Sequence, residues 1–316
     1  MTSTNKAKYI VIAVFFVFLA FWFLTSAPLN FPTGAIFTIE KGESLLEVAN
    51  NLENSKIIRS KNIFQVLVMA LASDKNVISG EYMFPGKESV LGVVLRLTRG
   101  IYLIPASKIT VPEGATNVQI AELFSLNFHN FDKNNFLKIA DDKEGYIFPD
   151  TYLFLPATDE KEVLRVMTDN FNKKISSFEE KIKNSGHSLG DIITMASIIE
   201  KEAGGSKDGA IISGILWKRI DKGMVLQVDA PFLYILGKGS GSLTRADLAV
   251  DSPYNTYLYK GLPPGPIGNP GLIAINSALN PVQSSYFFYL HDSHGNIYYA
   301  RTYAEHMRNR AKYLRN

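Results

Sequence analysis

From Tyr9 to Leu24 the chain reads YIVIAVFFVFLAFWFL, and residues 9–27 contain no charge. That approaches the ~20 apolar residues needed to cross a ~30 Å hydrocarbon layer. It also exceeds the apolar core of a cleaved signal peptide, about 7 to 15 residues. Pro28 follows directly and hinders cleavage. The pattern predicts a retained transmembrane helix over residues 9–28. Lys6 and Lys8 precede it, which by the positive-inside rule makes residues 1–8 a cytoplasmic tail and places the rest of the chain beyond the membrane.

Residues 29–35, with Pro32 and Gly34, read as a tether. Beyond them the period changes. AIFTIEK reads as a strand, and Ser44 with Glu47 forms a capping box ahead of Leu45, Val48, Ala49 and Leu52. Ser60 opens a second periodic run through Phe64, Val68 and Leu71, and GEYMF closes a strand–helix–helix–strand unit. TIEKGESLLEVA from Thr38 has a weak echo in TVPEGATNVQIA from Thr110, confined to turn and cap chemistry.

Further on, EGYIFPDTYLFLP alternates like strands up to Pro156, and one long amphipathic helix is expected from Glu160 to Lys183. Gly186 ends it, and Ser188 caps a successor that runs into MASIIEKEAGG. DGAIISGILWKRIDKG reads as another helix. SSYFFYL and NIYYA read as strands paired across HDSHG, and a basic helix starts at Tyr303. No regular βαβ repeat is present, so the fold class is α+β.

The MASIIEKEAGG helix poses a chemical question. At about 100° per residue, Ile192, Met195, Ile198 and Ile199 form one stripe, and Glu202 falls inside it at about 280°. Glu200 and Lys201 fall outside and read as solvated or salt-bridged. A carboxyl on a core-facing stripe loses hydration, which raises its pKa and keeps a proton available near neutrality. Glu202 is therefore a candidate general acid. A helix frayed by this point would instead leave it in solvent.

Composition narrows the classes. Hydrophobic residues at 46% and charged residues at 20% describe a folded chain, and a net charge of +3, two of it from Lys6 and Lys8, does not suggest a nucleic-acid partner. Cysteine is absent, which excludes disulfides, thiol nucleophiles and zinc–thiolate sites. His291 and His294 lie in HDSHG and read as a solvated hairpin turn rather than metal ligands. GKGSGS follows a helical stretch, the wrong context for a phosphate loop, and no G-x-S-x-G elbow is present. No metal or cofactor is expected.

LQVDAP (226–231), SPYNTYLYKGLPPGPIGNPG (252–271) and EGYIFPDTY (144–152) combine carboxylates, amides and tyrosines with rigid turns. Such groups suit carbohydrate, whose hydroxyls take bidentate hydrogen bonds and whose C–H faces stack on rings. Turn or core roles account for each stretch taken alone.

Taken together with ASIIEKE and LTRADL, these stretches resemble the endolytic murein transglycosylases, the YceG-like family, over almost the whole chain. The resemblance implies a LysM-like βααβ module at 36–105 and an α+β catalytic domain at 106–316. It implies cleavage of the β-1,4 bond between N-acetylmuramic acid and N-acetylglucosamine within nascent glycan strands, leaving 1,6-anhydro ends and terminating glycan polymerisation. The catalytic acid of that family maps onto Glu202. Gln227, Asp229, Tyr254, Asn255, Thr256 and Tyr257 are expected to hold the saccharide, with Glu144 and Asp150 as further candidates. Implied partners are peptidoglycan strands and peptidoglycan synthases, at the cell (inner) membrane. LQVDAP stands where the family often shows LQTDPT, which leaves Val228 and Ala230 without an assigned contact. The competing reading is a membrane-anchored, non-catalytic peptidoglycan-binding scaffold.

Overall fold

The computed structural model describes residues 3–71, 77–104, 106–128, 131–155, 158–203 and 205–314, except for the side chains of 3–11, 13, 17, 206 and 240. Two compact units emerge, Met1–Ser107 with Leu153–Thr158, and Lys108–Tyr152 with Asp159–Asn316. The family of folds is mixed α and β, with short two-stranded sheets among many helices.

In the first unit, helix α1 spans Ser3–Thr25. The expected membrane segment falls partly on side chains outside the described residues, and among the described residues no helix is long and apolar enough to cross a membrane. Strand β1 (Ile36–Ile39), helices α2 (Leu45–Asn54) and α3 (Lys61–Leu71) and strand β2 (Gly80–Met83) follow the expected order. β1 and β2 pair antiparallel with Ile36 opposite Met83. The capping box of α2 forms through Ser44 and Glu47. A helix not anticipated, α4 (Val90–Arg99), adds Val90, Val93, Val94 and Leu97 to the same core, capped by Ser89 and closed by Gly100 in the left-handed region.

Residues 29–35 are not a loose tether. Phe31 is buried in this core with its ring edge-on to Phe84, and the Gly34 N–H donates to the Phe84 carbonyl at 2.7 Å. The Arg59 guanidinium donates to the Ala27 carbonyl and lies over the Phe23 ring. An aromatic side chain overrode the Pro and Gly signals because its burial is worth roughly 2–3 kcal/mol.

The second unit opens within β3 (Ser107–Thr110) and continues through α5 (Asn117–Ser125), α6 (Lys133–Ile139) and the start of β4 (Thr151–Phe154), β3 pairing with β4. Thr116 and Gln119 form the capping box of α5, as the echo at Thr110 suggested. The expected single helix from Glu160 to Lys183 is two, α7 (Glu160–Ser176) and α8 (Glu179–Ser185), broken at Ser177 and Phe178. The apolar stripe continues across the break, so periodicity alone did not reveal it. Helices α9 (Leu189–Glu202), α10 (Ser206–Asp221), α11 (Ala230–Leu236) and α12 (Leu272–Leu279) build the main core. The antiparallel hairpin of β5 (Phe288–His291) and β6 (Ile297–Ala300) and helix α13 (Tyr303–Tyr313) complete it.

Candidate active site

Helix α9 is the centre of the second unit. Ser188 and Asp191 form its capping box, and α10, α11 and α12 all pack against it. Every residue from Ile192 to Ile199 is buried, including Thr194 and Ser197. The one-sided stripe is therefore a correction: the helix is enclosed all round. Ser197 is satisfied inside this core, its hydroxyl donating to the Thr194 carbonyl at 2.8 Å and accepting the Ile267 N–H at 3.0 Å.

The helix remains ordered through Glu202, its last residue, and the Ala203 N–H still donates to the Ile199 carbonyl. The three residues of EKE take three directions. Glu200 is not solvated: its Oε2 accepts the Gly271 N–H at 2.9 Å, at the start of α12, and burial raises its pKa. Lys201 is exposed. Glu202 turns to the hairpin, where the Tyr289 hydroxyl donates to its Oε2 at 3.0 Å.

Glu202 is half-buried as a residue, yet desolvation of its carboxyl is the largest influence on it. Burial raises its pKa from 4.5 to about 7, against the Tyr289 hydrogen bond, which favours the carboxylate. The nearby Asp229 charge adds to the rise, and the Ala230 N–H opposes it. The Tyr257 hydroxyl donates to Asp229 Oδ1 at 2.6 Å. Burial pushes the phenols of Tyr257 and Tyr289 well above their ordinary range, so both stay protonated donors. Arg219, on α10, faces both tyrosines, and its Nε donates to the Phe287 carbonyl at 2.8 Å.

The loop bearing Asp229 is fastened by the stretch 255–257. The Gln227 N–H donates to the Thr256 carbonyl at 2.9 Å, and the Thr256 hydroxyl donates to the Val228 carbonyl at 2.8 Å and accepts the Val228 N–H at 3.1 Å. Asn255 is fully buried; its amide donates to the Leu248 and Val250 carbonyls and accepts the Tyr257 N–H. Asn255 and Thr256 thus have their polar groups engaged with backbone, away from any surface a sugar could touch. Gln227 has φ +50 and an exposed side chain between buried Leu226 and Val228, a left-handed conformation costly for a residue with a Cβ.

A second cluster gathers Glu144, Tyr234 and Tyr254. The two rings lie 5.3 Å apart, and the Glu144 charge acts on both phenols. Burial raises Glu144 to about 7; its oxygens accept the Asn117 N–H at 3.2 Å, at the start of α5. Asn269, fully buried, ties this region together: its amide donates to the Ala115 carbonyl and Asn117 Oδ1, and its Oδ1 accepts the Ile147 N–H at 2.9 Å.

Asp150 lies apart from Glu202, in a shallow cleft of about 380 Å³ with Thr151, Tyr152, Asp169, Asn170 and Lys173. Burial works against its charge, but hydrogen bonds from Thr151 and Asn170 and the Lys174 ammonium at 3.4 Å hold its carboxyl below the ordinary range.

Three residues escaped the sequence reading as site members: Tyr289, which bonds Glu202, His291, which packs on Tyr289, and Arg219, which faces Tyr289. His291 is not in the turn; it ends β5, its ring edge-on to Tyr289 at 5.8 Å. Among the described residues its Nε2 is a buried atom without a hydrogen-bond partner. His294 does lie in the turn. The legible signal was Tyr289 and His291 two residues apart, on one face of a strand. No group of three or more His, Cys, Asp or Glu among the described residues is arranged to hold a metal ion.

Residues 37–312 match the YceG-like family model. An endolytic murein transglycosylase from Bacillus subtilis (strain 168) is 30% identical over 303 residues, 87% of this chain and 84% of that protein. Another of the same name, from Streptococcus pneumoniae serotype 2 (strain D39), is 33% identical over 177 residues, covering 54% of this chain and 32% of its own length. The crystal structure of a YceG-like protein from Listeria monocytogenes superposes with a TM-score of 0.61 at 30% identity, over 87% of this chain and 99% of that one. The matched stretch runs through enclosed α9, the Asp229 loop and the β5–β6 hairpin, and the chain belongs to the YceG-like family.

Proposed function

We propose that this chain is an endolytic murein transglycosylase, a lyase, in which Glu202 acts alone as acid and then as base. The observation that carries this reading is a carboxyl at the end of a buried helix, raised to about 7 and held by one phenol. The family relatives supply the reaction class.

Protonated Glu202 donates to the oxygen linking N-acetylmuramic acid to N-acetylglucosamine, and the C1–O4 bond breaks. The carboxylate then takes the proton of the muramyl C6 hydroxyl as its oxygen closes on C1. The product is a 1,6-anhydro end, no water is consumed, and Glu202 regains its proton. An ordinary glycosidase needs a second carboxylate to attack or to activate water. Asp229 is the nearby carboxylate that would allow such a hydrolytic reading, and its hydrogen bond to Tyr257 engages one of its oxygens.

Gln227, Asp229, Tyr254, Tyr257 and Glu144 would hold the saccharide, while Asn255 and Thr256 shape the loop that presents them. Asp150 would serve only a strand long enough to reach its cleft. The first unit is read as a LysM-like glycan-binding module. α1 is read as a single membrane span with the N-terminus in the cytoplasm, because its 23 residues reach about 34 Å at a 1.5 Å rise. Peptidoglycan synthases are the partners the reading implies, and termination of glycan polymerisation is its outcome.

Purified full-length enzyme incubated with sacculi should release anhydromuropeptides, and Glu202→Gln should release none while keeping its circular dichroism. Reducing-end products heavier by one water would assign a hydrolase with Asp229 as partner. Equal release by Glu202→Gln would refute the role of Glu202, and no release by either protein would favour the binding scaffold. A chain lacking residues 1–28 should cut more slowly, having lost the effective concentration that tethering supplies.

A further inference from the structure

We infer that strand β5 is the positioning element of the acid: Tyr289 fixes the carboxyl of Glu202, and His291, two residues on, backs the Tyr289 ring. The inference rests on the reading of Glu202 as the acid.

The need for such a brace follows from where Glu202 stands. As the last residue of α9, it has no later turn of the helix to pack against. A side chain at a helix end also has fewer neighbours to fix its rotamer than one in mid-helix. A proton donor must nonetheless be held closely to its productive geometry. The hairpin supplies a contact and its backing from one face of one strand. The Tyr289 hydroxyl reaches Oε2 at 3.0 Å, and two residues on, the His291 ring packs against the Tyr289 ring. The rings meet edge-on at 5.8 Å and 88°, so each restrains the other.

The strand is itself anchored. β5 pairs with β6 in register, Tyr289 opposite Tyr299, and the Tyr299 hydroxyl donates to Asp208 Oδ1 at 2.9 Å on α10. Arg219, also on α10, holds the Phe287 carbonyl just before the strand. Both contacts come from the helix that packs along α9. Acid and brace are therefore fixed to the same support.

The charged groups around the pair set the expected direction. Asp229 at the start of α11 faces Glu202 and favours its protonated form; Arg219 faces Tyr289; Asp208 and Asp292 face His291. The Tyr289 hydrogen bond favours the carboxylate. Removing that hydroxyl must therefore raise the pKa of Glu202 while freeing its rotamer.

The test uses full-length enzyme with 13C-labelled glutamate carboxyls, the Glu202 signal assigned by its loss in Glu202→Gln. In Tyr289→Phe, which keeps the ring and its packing, the Glu202 titration should move to higher pH. The alkaline limb of kcat should move with it, and kcat should fall about tenfold with KM unchanged. His291→Ala, which removes the ring backing Tyr289, should lower kcat similarly, and His291→Phe, which keeps an aromatic ring there, should recover most of it. An unmoved Glu202 titration in Tyr289→Phe overturns the inference whatever the activity, as does a loss confined to KM, which would make the hairpin a wall of the glycan site. If the titration moves but Glu202→Gln still releases anhydromuropeptides, the brace stands and the catalytic reading fails.

Discussion

Replacing Glu202 with Gln should make the second unit more stable at alkaline pH and not at acid pH. Burial pushes the folded carboxyl up to about 7, against 4.5 for the hydrated carboxyl of an unfolded chain. The folded state thus binds the extra proton between those two values, and stability falls as pH rises through that window. Below pH 4.5 the group is neutral in both states and exerts no such effect. Above 7 the difference of about 2.5 units corresponds to about 3 kcal/mol of destabilisation in the wild type. Gln carries no charge to desolvate and can still accept from Tyr289, but its amide N–H groups need partners, at a cost of about 1 kcal/mol. The variant should be about 2 kcal/mol more stable at pH 8 and about 1 kcal/mol less stable at pH 4. Urea unfolding at both pH values, followed by the fluorescence of Trp217, measures it, since that ring is buried in the second unit's core and stacks on His187 at 3.8 Å. A stability difference independent of pH would refute the claim that burial holds the proton on Glu202.

Wild-type kcat/KM should fall above about pH 7, tenfold per unit once Glu202 is ionised, because the donor must carry its proton when substrate binds; a profile flat to pH 9 would show that another group donates. Asn269→Leu should cost about 2–5 kcal/mol in urea unfolding, since it strands the Ile147 N–H and the Asn117 Oδ1 in the interior. Asn255→Ala should lose about 2–4 kcal/mol by freeing the Leu248 and Val250 carbonyls, and any loss of glycan affinity measured by calorimetry should recover when the variant is stabilised by cooling.

The fold was legible where local chemistry is strong. The capping boxes at Ser44, Thr116 and Ser188 and the turn between β5 and β6 all announce themselves through a few neighbouring residues. The break between α7 and α8 was not, because no Gly or Pro marks it. The burial of the Glu202 carboxyl was reached by an argument only partly right: the wheel assumed one buried face, whereas α9 is enclosed on every side. Of the polar stretches, 226–231 and 252–257 do converge, but the sequence could not say that Asn255 and Thr256 spend their groups on backbone. Tyr289 and His291 were hidden by distance along the chain, since no local pattern links a strand to a helix end 87 residues earlier.

The burial of Phe31 bears on reach. Between the end of α1 and the first strand the chain has no free length to pay out, since Ala27, Phe31 and Gly34 are each engaged by the module. With α1 embedded in lipid as proposed, this first unit would be carried like a head on a short, stiff neck, its reach confined to the layer just above the bilayer.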